Sequence, residues 1–168
     1  MSAGVRPAEP GDSAAIRAVH LAAFPTPLEA DLVEALEQDN SVVISLVARR
    51  GGEVVGHVLL SRMRVSGDGR IYRALGLAPI AVLPGFQSAG IGAALIDGAL
   101  AIARASGEEI VFLLGEPDYY RRFGFSAEAA APFGSPYAGP YFMAVPLRPD
   151  VPLPAQGNAA YPPAFADL

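Results

Sequence analysis

The chain has 168 residues and a net charge of −5, with 52% apolar residues, 17% charged residues and no cysteine. This size and composition suit one compact domain and exclude a largely disordered chain. The absence of cysteine excludes disulfides, thiolate metal sites and an acyl-cysteine intermediate, and the pI near 4.9 disfavours a nucleic-acid binder. No apolar stretch is long enough to span a membrane and no signal peptide is visible, so we expect a soluble cytoplasmic protein.

Two helices are predicted in the first part of the chain, after a short strand at Val5-Arg6. Asp12 is placed to cap a helix over Ser13 to Ala23, in which His20 lies beside the apolar face. We expect His20 at a partly buried surface position. Thr26-Pro27-Leu28-Glu29 has the form of a capping box with proline at the first helical position, and we therefore expect a second helix that begins at Pro27 and runs to about Gln38.

An antiparallel hairpin follows the second helix. Val42 to Arg49 alternates and is rich in β-branched residues, and Gly51-Gly52 turns it back into Val54 to Val65. Gly56 predicts a bulge, and a structural role is expected for His57. Neither histidine has a spaced partner, so no metal site is predicted.

The central stretch joins a strand to a helix through a loop of small residues. The apolar run Ala74 to Leu83 predicts a buried strand, Pro84-Gly85 a turn, and Gln87 to Gly92 the loop. The helix ends at Gly107 and has residues of one apolar face at Ile91, Leu95, Ala99 and Ile102. Pro79 departs from strand propensity and predicts a bulge.

The loop precedes helix amides that have no intrahelical acceptor, so an anion placed there would gain hydrogen bonds and charge stabilisation. Gly90 and Gly92 lack the side chains that could keep a phosphate from the backbone. A dinucleotide fingerprint would need a small residue where Leu95 stands, and a Walker-type loop would need a lysine, which this chain lacks. A phosphate cradle and a plain strand-to-helix turn remain as alternatives.

The last third of the chain begins with a strand over Glu109 to Leu114, parallel to the central one because a helix joins them. A short helix closed by Gly124 follows. Ala127 to Pro140 is predicted as a loop and Tyr141 to Val145 as the final strand. Five prolines between 149 and 163 predict an extended tail without regular structure over 148–168.

Two motifs give the chain a resemblance to a known family. Leu83 to Gly92 resembles the Q/R-x-x-G-x-G/A acetyl-CoA loop of the GCN5-related N-acetyltransferase (GNAT) superfamily, and Gly115 to Phe125 resembles a segment of its small bacterial branch. The resemblance covers about Val5 to Leu147. It implies an α/β (α+β) fold of one domain over 1–147, with a mixed, mostly antiparallel sheet, a splayed central parallel strand pair and helices on both faces.

The resemblance implies an enzyme, an acyltransferase that passes an acetyl group from acetyl-CoA, as co-substrate, directly to a primary amine of a small molecule or peptide in a ternary complex. No metal is implied. The backbone of the strand end would bind pantetheine, and the loop would bind the pyrophosphate. The implied cofactor-binding residues are Ile80, Ala81, Val82, Gln87, Ser88, Ala89, Gly90, Ile91, Gly92 and Ala93.

Tyr120 stands where the family places the tyrosine that protonates the departing thiolate, although core packing would also explain an aromatic residue there. Glu29 and Glu116 are the candidate bases, and helix capping explains Glu29 equally well. The family's asparagine before this helix is absent, and Leu114-Gly115-Glu116 stands instead.

The expected partner is the amine substrate, and neither nucleic acid nor a membrane is expected to bind. Whether the chain forms a homodimer is left open. Two rival functions are a non-catalytic acyl-CoA-binding regulatory module and an acetyltransferase toxin that acts on charged tRNA. The acidic pI argues against the toxin.

Overall fold

A computed structural model of the protein describes residues 4–167. The chain divides into two compact units. The first holds the residues up to 61, residues 78–102 and the residues from 163 on, and the second holds residues 62–77 and 103–162. Two long strands pass from one unit into the other.

The elements of the first unit are β1 (Gly4–Pro7), α1 (Ser13–Ala23), α2 (Leu28–Gln38), β2 (Val42–Arg50), the first part of β3 (Glu53–Gly67), the last part of β4 (Arg70–Val82) and most of α3 (Ile91–Ala105). Its strands form a sheet in the order β1-β2-β3-β4. Strand β2 pairs antiparallel with both β1 and β3.

Helices cover both faces of the sheet in the first unit. A Cβ atom at Gly56 of β3 would lie 3.1 Å from Leu95 and 3.2 Å from Ile91, both in α3. The next residue, His57, contacts His20 of α1 instead. Because successive strand residues face opposite sides of a sheet, α1 and α3 lie on opposite faces.

The second unit contains the strand order β4-β5-β7. Strand β5 is parallel to β4 and antiparallel to β7, while β8 pairs antiparallel with β3 and parallel with β6. The predicted parallel pair and the mixed, mostly antiparallel sheet are confirmed. The elements of this unit are β5 (Ile110–Leu114), α4 (Pro117–Tyr120), α5 (Ala127–Ala130), β6 (Phe133–Gly134), β7 (Phe142–Pro146) and β8 (Gly157–Ala160).

Aromatic side chains form the core of the second unit. The ring of Phe112 lies 5.2 Å from that of Phe133, edge to face, and 5.4 Å from that of Phe142, stacked. Tyr161 packs against Gly76, where a Cβ atom would come within 2.6 Å of the tyrosine ring. The C-terminal part of the chain therefore contributes to this core.

The predicted helices and hairpin of the first unit are confirmed, with two differences in detail. The carboxylate of Asp12 accepts from Arg6 at 2.8 and 3.1 Å and from the Glu9 amide at 2.7 Å, so it caps the 3-10 turn before α1 and not α1 itself. The predicted bulge is confirmed, because the register between β2 and β3 shifts beside Gly56. Ile102, expected on the apolar face of α3, is 37% exposed, and Ala103 is buried instead.

Three expectations for the C-terminal part are wrong. The predicted loop over 127–140 contains α5 and β6, and β7 is followed by another strand. The segment expected to lack regular structure contains β8 and a 3-10 helix, Pro163–Asp167. Its prolines flank β8 and do not interrupt it, so no proline stands where the strand has to donate a backbone amide.

The stability of the short helix α5 depends on its N-cap residue, Ser126. The Ser126 hydroxyl oxygen accepts a hydrogen bond from the Ala129 amide at 3.1 Å. Replacing Ser126 with alanine is expected to lower the free energy of unfolding by about 1 kcal/mol, because the amide loses its acceptor. Urea unfolding measures the change, and Ser13→Ala, which removes an exposed hydroxyl, is the control. Equal midpoints for the wild type and Ser126→Ala would contradict the capping role.

Candidate functional site

The end of β4 is tied to the loop that follows it. The Leu83 amide donates to the Val55 carbonyl at 2.8 Å, which holds the strand end on β3. After a 3-10 turn, Pro84–Phe86, the side chain of Gln87 reaches back and donates to the Val82 carbonyl at 3.0 Å. The side chain of Gln87 therefore fixes the loop to the strand, while residues 87–90 are exposed.

The loop turns into α3 through two residues with positive φ, Ser88 at 62° and Gly90 at 80°. Apart from Gly90 and its two neighbours in the chain, no atom of residues 4–167 lies within 4 Å of the position that a Cβ would take at Gly90. The first helical hydrogen bond runs from the Ala94 amide to the Gly90 carbonyl at 3.0 Å, so three amides precede it. This arrangement offers the positive end of a 15-residue helix beside open space. The three amides belong to Ile91, Gly92 and Ala93.

Gly56 has a second role besides the bulge that the sequence predicts, because it lies against this site. A Cβ there would lie 3.3 Å from the Ala81 carbonyl oxygen, as well as against the first turn of α3. An isolated glycine within a strand also signals a close approach, and that signal was available in the sequence. Ala81 itself is buried, and its neighbours Ile80 and Val82 are half-buried.

Tyr120 ends α4 in the second unit and is half-buried. Its ring lies 4.9 Å from that of Tyr119 and 6.1 Å from that of Phe125, both edge to face. A side chain at Gly115 would collide with this ring, which explains the glycine of the motif. Burial, with a smaller contribution from Tyr119, raises the pKa of Tyr120, so its hydroxyl keeps its proton through the neutral range.

Glu116 precedes α4 and has an exposed side chain. Its backbone carbonyl accepts from the Tyr119 and Tyr120 amides, both at 3.1 Å. The neighbouring arginines are exposed: Arg121 forms an ion pair with Asp118, and Arg122 donates to the Tyr119 carbonyl at 3.1 Å.

Glu29 does not take part in a capping box. Helix α2 begins at Leu28, one residue later than predicted, and Thr26 Oγ1 accepts from the Leu28 amide at 3.4 Å. The capping explanation of Glu29 is therefore wrong. Its Oε1 atom is buried and has no hydrogen-bond partner within the described part of the chain.

The two histidines form a pair that sequence reasoning missed. His20, expected near the surface, is completely buried, as is His57. His20 Nε2 and His57 Nδ1 are 2.8 Å apart, and His57 Nε2 lies 2.8 Å from Ser45 Oγ. Burial lowers the pKa of His20 to about 4. Burial, and next the charge of His20, lower the pKa of His57 to about 3, against an opposing contribution from Asp12.

Acidification from pH 7 to pH 5 is therefore expected to lower the free energy of unfolding by about 4 kcal/mol, about 2 kcal/mol for each histidine. Unfolded histidine binds a proton near pH 6.5, so on acidification the unfolded state takes up protons before the native state does. The loss extends from about pH 6.5 to the depressed pKa values of the pair. The Arg6 guanidinium holds the pKa of Asp12 at about 2, so the contribution of Asp12 is lost below pH 4, in a separate window.

Urea unfolding at pH 7, 6 and 5 measures this slope. In the control, the double replacement His20→Leu and His57→Leu removes both titrating groups and should flatten it. A wild-type stability that stays constant down to pH 5 would show that the pair is not held neutral.

Among residues 4–167, no helix is both long enough and apolar enough to cross a membrane. In the same range, no three acidic or histidine side chains are grouped so that they could hold a metal ion.

Comparison with known proteins identifies the family. The profile of the acetyltransferase (GNAT) domain matches residues 4–127. The uncharacterized N-acetyltransferase YjhQ of Escherichia coli K12 is 40% identical over 116 residues, which cover 68% of this chain and 64% of YjhQ. This chain thus spans just under two thirds of YjhQ. The uncharacterized N-acetyltransferase YhbS of the same strain is 33% identical over 121 residues, 71% of either protein.

Two crystal structures are similar over nearly the whole chain. E. coli YhbS in complex with CoA has a TM-score of 0.87 at 28% identity, covering 99% of this chain and 93% of YhbS. A GNAT family acetyltransferase of Brucella melitensis in complex with acetyl-CoA has a TM-score of 0.79 at 36% identity, covering 97% of both. The predicted resemblance is confirmed, and the chain belongs to the GNAT family of acetyltransferases.

Proposed function

We propose that this chain transfers the acetyl group of acetyl-CoA to a primary amine of a small molecule or a peptide. The observation that carries the proposal is the exposed loop before α3, where Gly90 has a positive φ and open space beside it. The CoA in the crystal structure of YhbS and the acetyl-CoA in that of the B. melitensis protein support it.

The residues at this site fit a nucleotide pyrophosphate. Three amides at the start of α3 lie at the positive end of the helix, and a side chain that could block their approach is missing at Gly90. The loop and first turn, residues 87–93, would hold the pyrophosphate, and the backbone of Ile80 to Val82 would hydrogen-bond the pantetheine. Acetyl-CoA supplies the acetyl group as a thioester.

Side chains of the protein would donate a proton to the leaving thiolate and accept one from the amine. Tyr120 carries a hydroxyl that stays protonated at neutral pH, as a proton donor to a leaving thiolate must. For the base, Glu29 is a better candidate than Glu116. The Oε1 atom of Glu29 is buried without a partner among residues 4–167, whereas the side chain of Glu116 is exposed.

A thiol-release assay with acetyl-CoA and a panel of primary amines tests the function. The chain has no cysteine, so the protein adds no thiol background. We expect thiol release that matches the amount of acetylated amine for at least one class of amine. Binding of acetyl-CoA without turnover on any amine would favour the regulatory module, and turnover on charged tRNA alone would favour the toxin. A protein that does not bind acetyl-CoA would overturn the proposal.

A further inference from the structure

The loop that is proposed to hold the pyrophosphate contains no positively charged side chain. Residues 83–93 are all uncharged, and the chain as a whole has a net charge of −5. The positive end of a helix is equivalent to about half an elementary charge. CoA carries a pyrophosphate and a 3′-phosphate, and a phosphate monoester alone has a charge of about −1.5 to −2 at neutral pH. A cation from another part of the first unit would therefore strengthen the binding of CoA.

The end of β2 lies at the same end of the sheet as this loop. Strand β2 ends at Arg50, which pairs with Glu53 at the start of β3. The end of β4 is held at the start of β3, because the Leu83 amide donates to the Val55 carbonyl at 2.8 Å. The loop follows β4 directly, so it begins at the end of the sheet where Arg50 stands.

Arg50 also faces the side of the sheet that α3 covers. A Cβ atom at Gly98 of α3 would lie 3.3 Å from Leu46 of β2, so Leu46 faces this helix. Side chains that are two or four residues apart in a strand point to the same face. The register shift beside Gly56 adds its extra residue to β3, so β2 keeps its alternation up to Arg50. Arg50 therefore lies on the same face as α3, at the end of the sheet from which the loop leads into that helix.

A direct contact places the guanidinium of Arg50 at the start of the loop. Its Cζ atom lies 5.6 Å from the centre of the Phe86 ring. Both side chains are half-buried, and Phe86 ends the 3-10 turn that precedes Gln87. A cation over an aromatic ring is attracted by the ring face, and this contact uses none of its N–H donors. Phe86 therefore orients the guanidinium without accepting any of its hydrogen bonds.

Arginine is the side chain best suited to bind a phosphate at such a place. Its planar guanidinium donates two parallel hydrogen bonds to phosphate oxygens and keeps its charge throughout the physiological pH range. The carboxylate that faces Arg50 across the hairpin belongs to Glu53, and this residue is exposed. Water therefore screens the charge of Glu53 more strongly than that of the half-buried Arg50.

We propose that Arg50 binds a phosphate group of CoA and that Phe86 holds its guanidinium in place for this contact. The proposal rests on the binding of acetyl-CoA at the loop, as proposed above. The phosphate belongs either to the pyrophosphate or to the 3′-phosphate, since both present phosphate oxygens to a guanidinium. Arg50 supplies the cation that the loop lacks, from a strand outside the motif that predicts the loop.

Isothermal titration calorimetry with CoA and with dephospho-CoA, which lacks only the 3′-phosphate, tests the contact without any turnover. We expect Arg50→Gln to raise the Kd for CoA about tenfold, because a hydrogen-bonded charge pair is lost. If Arg50 binds the 3′-phosphate, the wild type prefers CoA over dephospho-CoA about tenfold, and the variant does not distinguish them. If Arg50 binds the pyrophosphate, the variant binds both ligands more weakly by the same factor. Both results support the contact, and they identify its phosphate.

Arg49→Gln is the matched control. Arg49 is the neighbouring residue of β2, points to the opposite face, is exposed and donates to the Gly52 carbonyl at 2.8 Å. Its replacement changes the net charge by the same amount, and both Kd values should stay at the wild-type level. Wild-type Kd values for both ligands in Arg50→Gln would overturn the proposal. An equal loss in Arg49→Gln would also overturn it, since the effect would then be one of net charge.

A double-mutant cycle tests the role of Phe86. Phe86→Leu keeps an apolar side chain but removes the aromatic ring, and we expect it to raise the Kd for CoA about threefold. In the Arg50→Gln background the same change should have no effect, because no cation is left to orient. A loss of purely structural origin would be the same in both backgrounds, and such a result would overturn the positioning role of Phe86.

These measurements also separate the contact of Arg50 from the proposed transfer. Binding of CoA that depends on Arg50, in a protein that acetylates no amine of the panel, would support the contact and contradict the transfer. Transfer activity together with wild-type Kd values in Arg50→Gln would contradict the contact alone. A wild type that binds neither CoA nor dephospho-CoA would overturn both.

Discussion

Replacing Gly90 with valine is expected to abolish the stabilisation of this protein by acetyl-CoA. Gly90 has a φ of 80°, a conformation that costs a β-branched residue about 1–3 kcal/mol. Beyond the adjacent residues, no atom in the described part of the chain lies within 4 Å of the new Cβ, so the side chain would project into the space where the pyrophosphate is proposed to bind. The wild type, at a ligand concentration of about a hundred times Kd, should gain about 2.7 kcal/mol, and a thermal unfolding scan measures the gain.

Gly69→Val is the matched control for this variant. Gly69 lies in the turn between β3 and β4 and has a φ of 77°, and among the described residues other than its chain neighbours no atom lies within 4 Å of its Cβ position. The backbone strain of the two variants is therefore similar, while only Gly90 borders the proposed cofactor. Gly69→Val should lose a comparable amount of stability and keep the full shift with acetyl-CoA. A full shift in Gly90→Val would mean that the loop is a plain strand-to-helix turn.

The centre of the site could be predicted because its signals are local in the sequence. The apolar run of β4, the glycines after it and the helical period of α3 lie within about thirty consecutive residues. The predicted helix after the loop, which ends at Ala105 and not at Gly107, and the closure of the short helix by Gly124 are found in the structure for the same reason. Such patterns reflect backbone preferences, and these are determined by the residues of the segment itself.

The buried histidine pair could not be predicted in this way. His20 and His57 are 37 residues apart and belong to different elements, so neither residue's surroundings in the sequence indicate the other. A single histidine beside an apolar helix face also resembles an ordinary surface residue. Glu29 was misinterpreted for a related reason: the sequence of a capping box is present, but Pro27 stands at the N-cap position and the helix starts after it.

The C-terminal part shows how tertiary pairing overrides local propensity. Prolines around Gly157–Ala160 suggested an irregular tail, yet that segment pairs with β3 and β6. At Gly67 of β3, a Cβ would come within 2.6 Å of Pro154, so a glycine is needed there to leave room for the proline ring. The partners of β8 are distant in sequence, which is why no local pattern predicted it.

Tyr120→Phe is expected to lower kcat for acetyl transfer about a hundredfold, because the hydroxyl is the proposed proton donor to the leaving thiolate. The substitution keeps the ring and so preserves its contacts with Tyr119 and Phe125. Stability and acetyl-CoA binding should therefore stay at the wild-type level, and initial rates from pH 6 to pH 10 measure the loss. Because burial raises the pKa of Tyr120, the wild-type rate should not fall from ionisation of this hydroxyl until the pH passes its usual value near 10.

The matched control is Tyr119→Phe, which removes a hydroxyl from the adjacent half-buried residue of the same short helix. The ring of Tyr119 packs under the Arg122 guanidinium at 4.6 Å, a contact that phenylalanine also makes. If Tyr120 is the donor, Tyr119→Phe keeps the wild-type rate at every pH while Tyr120→Phe is slow at every pH. If both variants instead keep the wild-type rate, the proton reaches the thiolate from another group, and the ring of Tyr120 serves packing against Gly115 and Phe125.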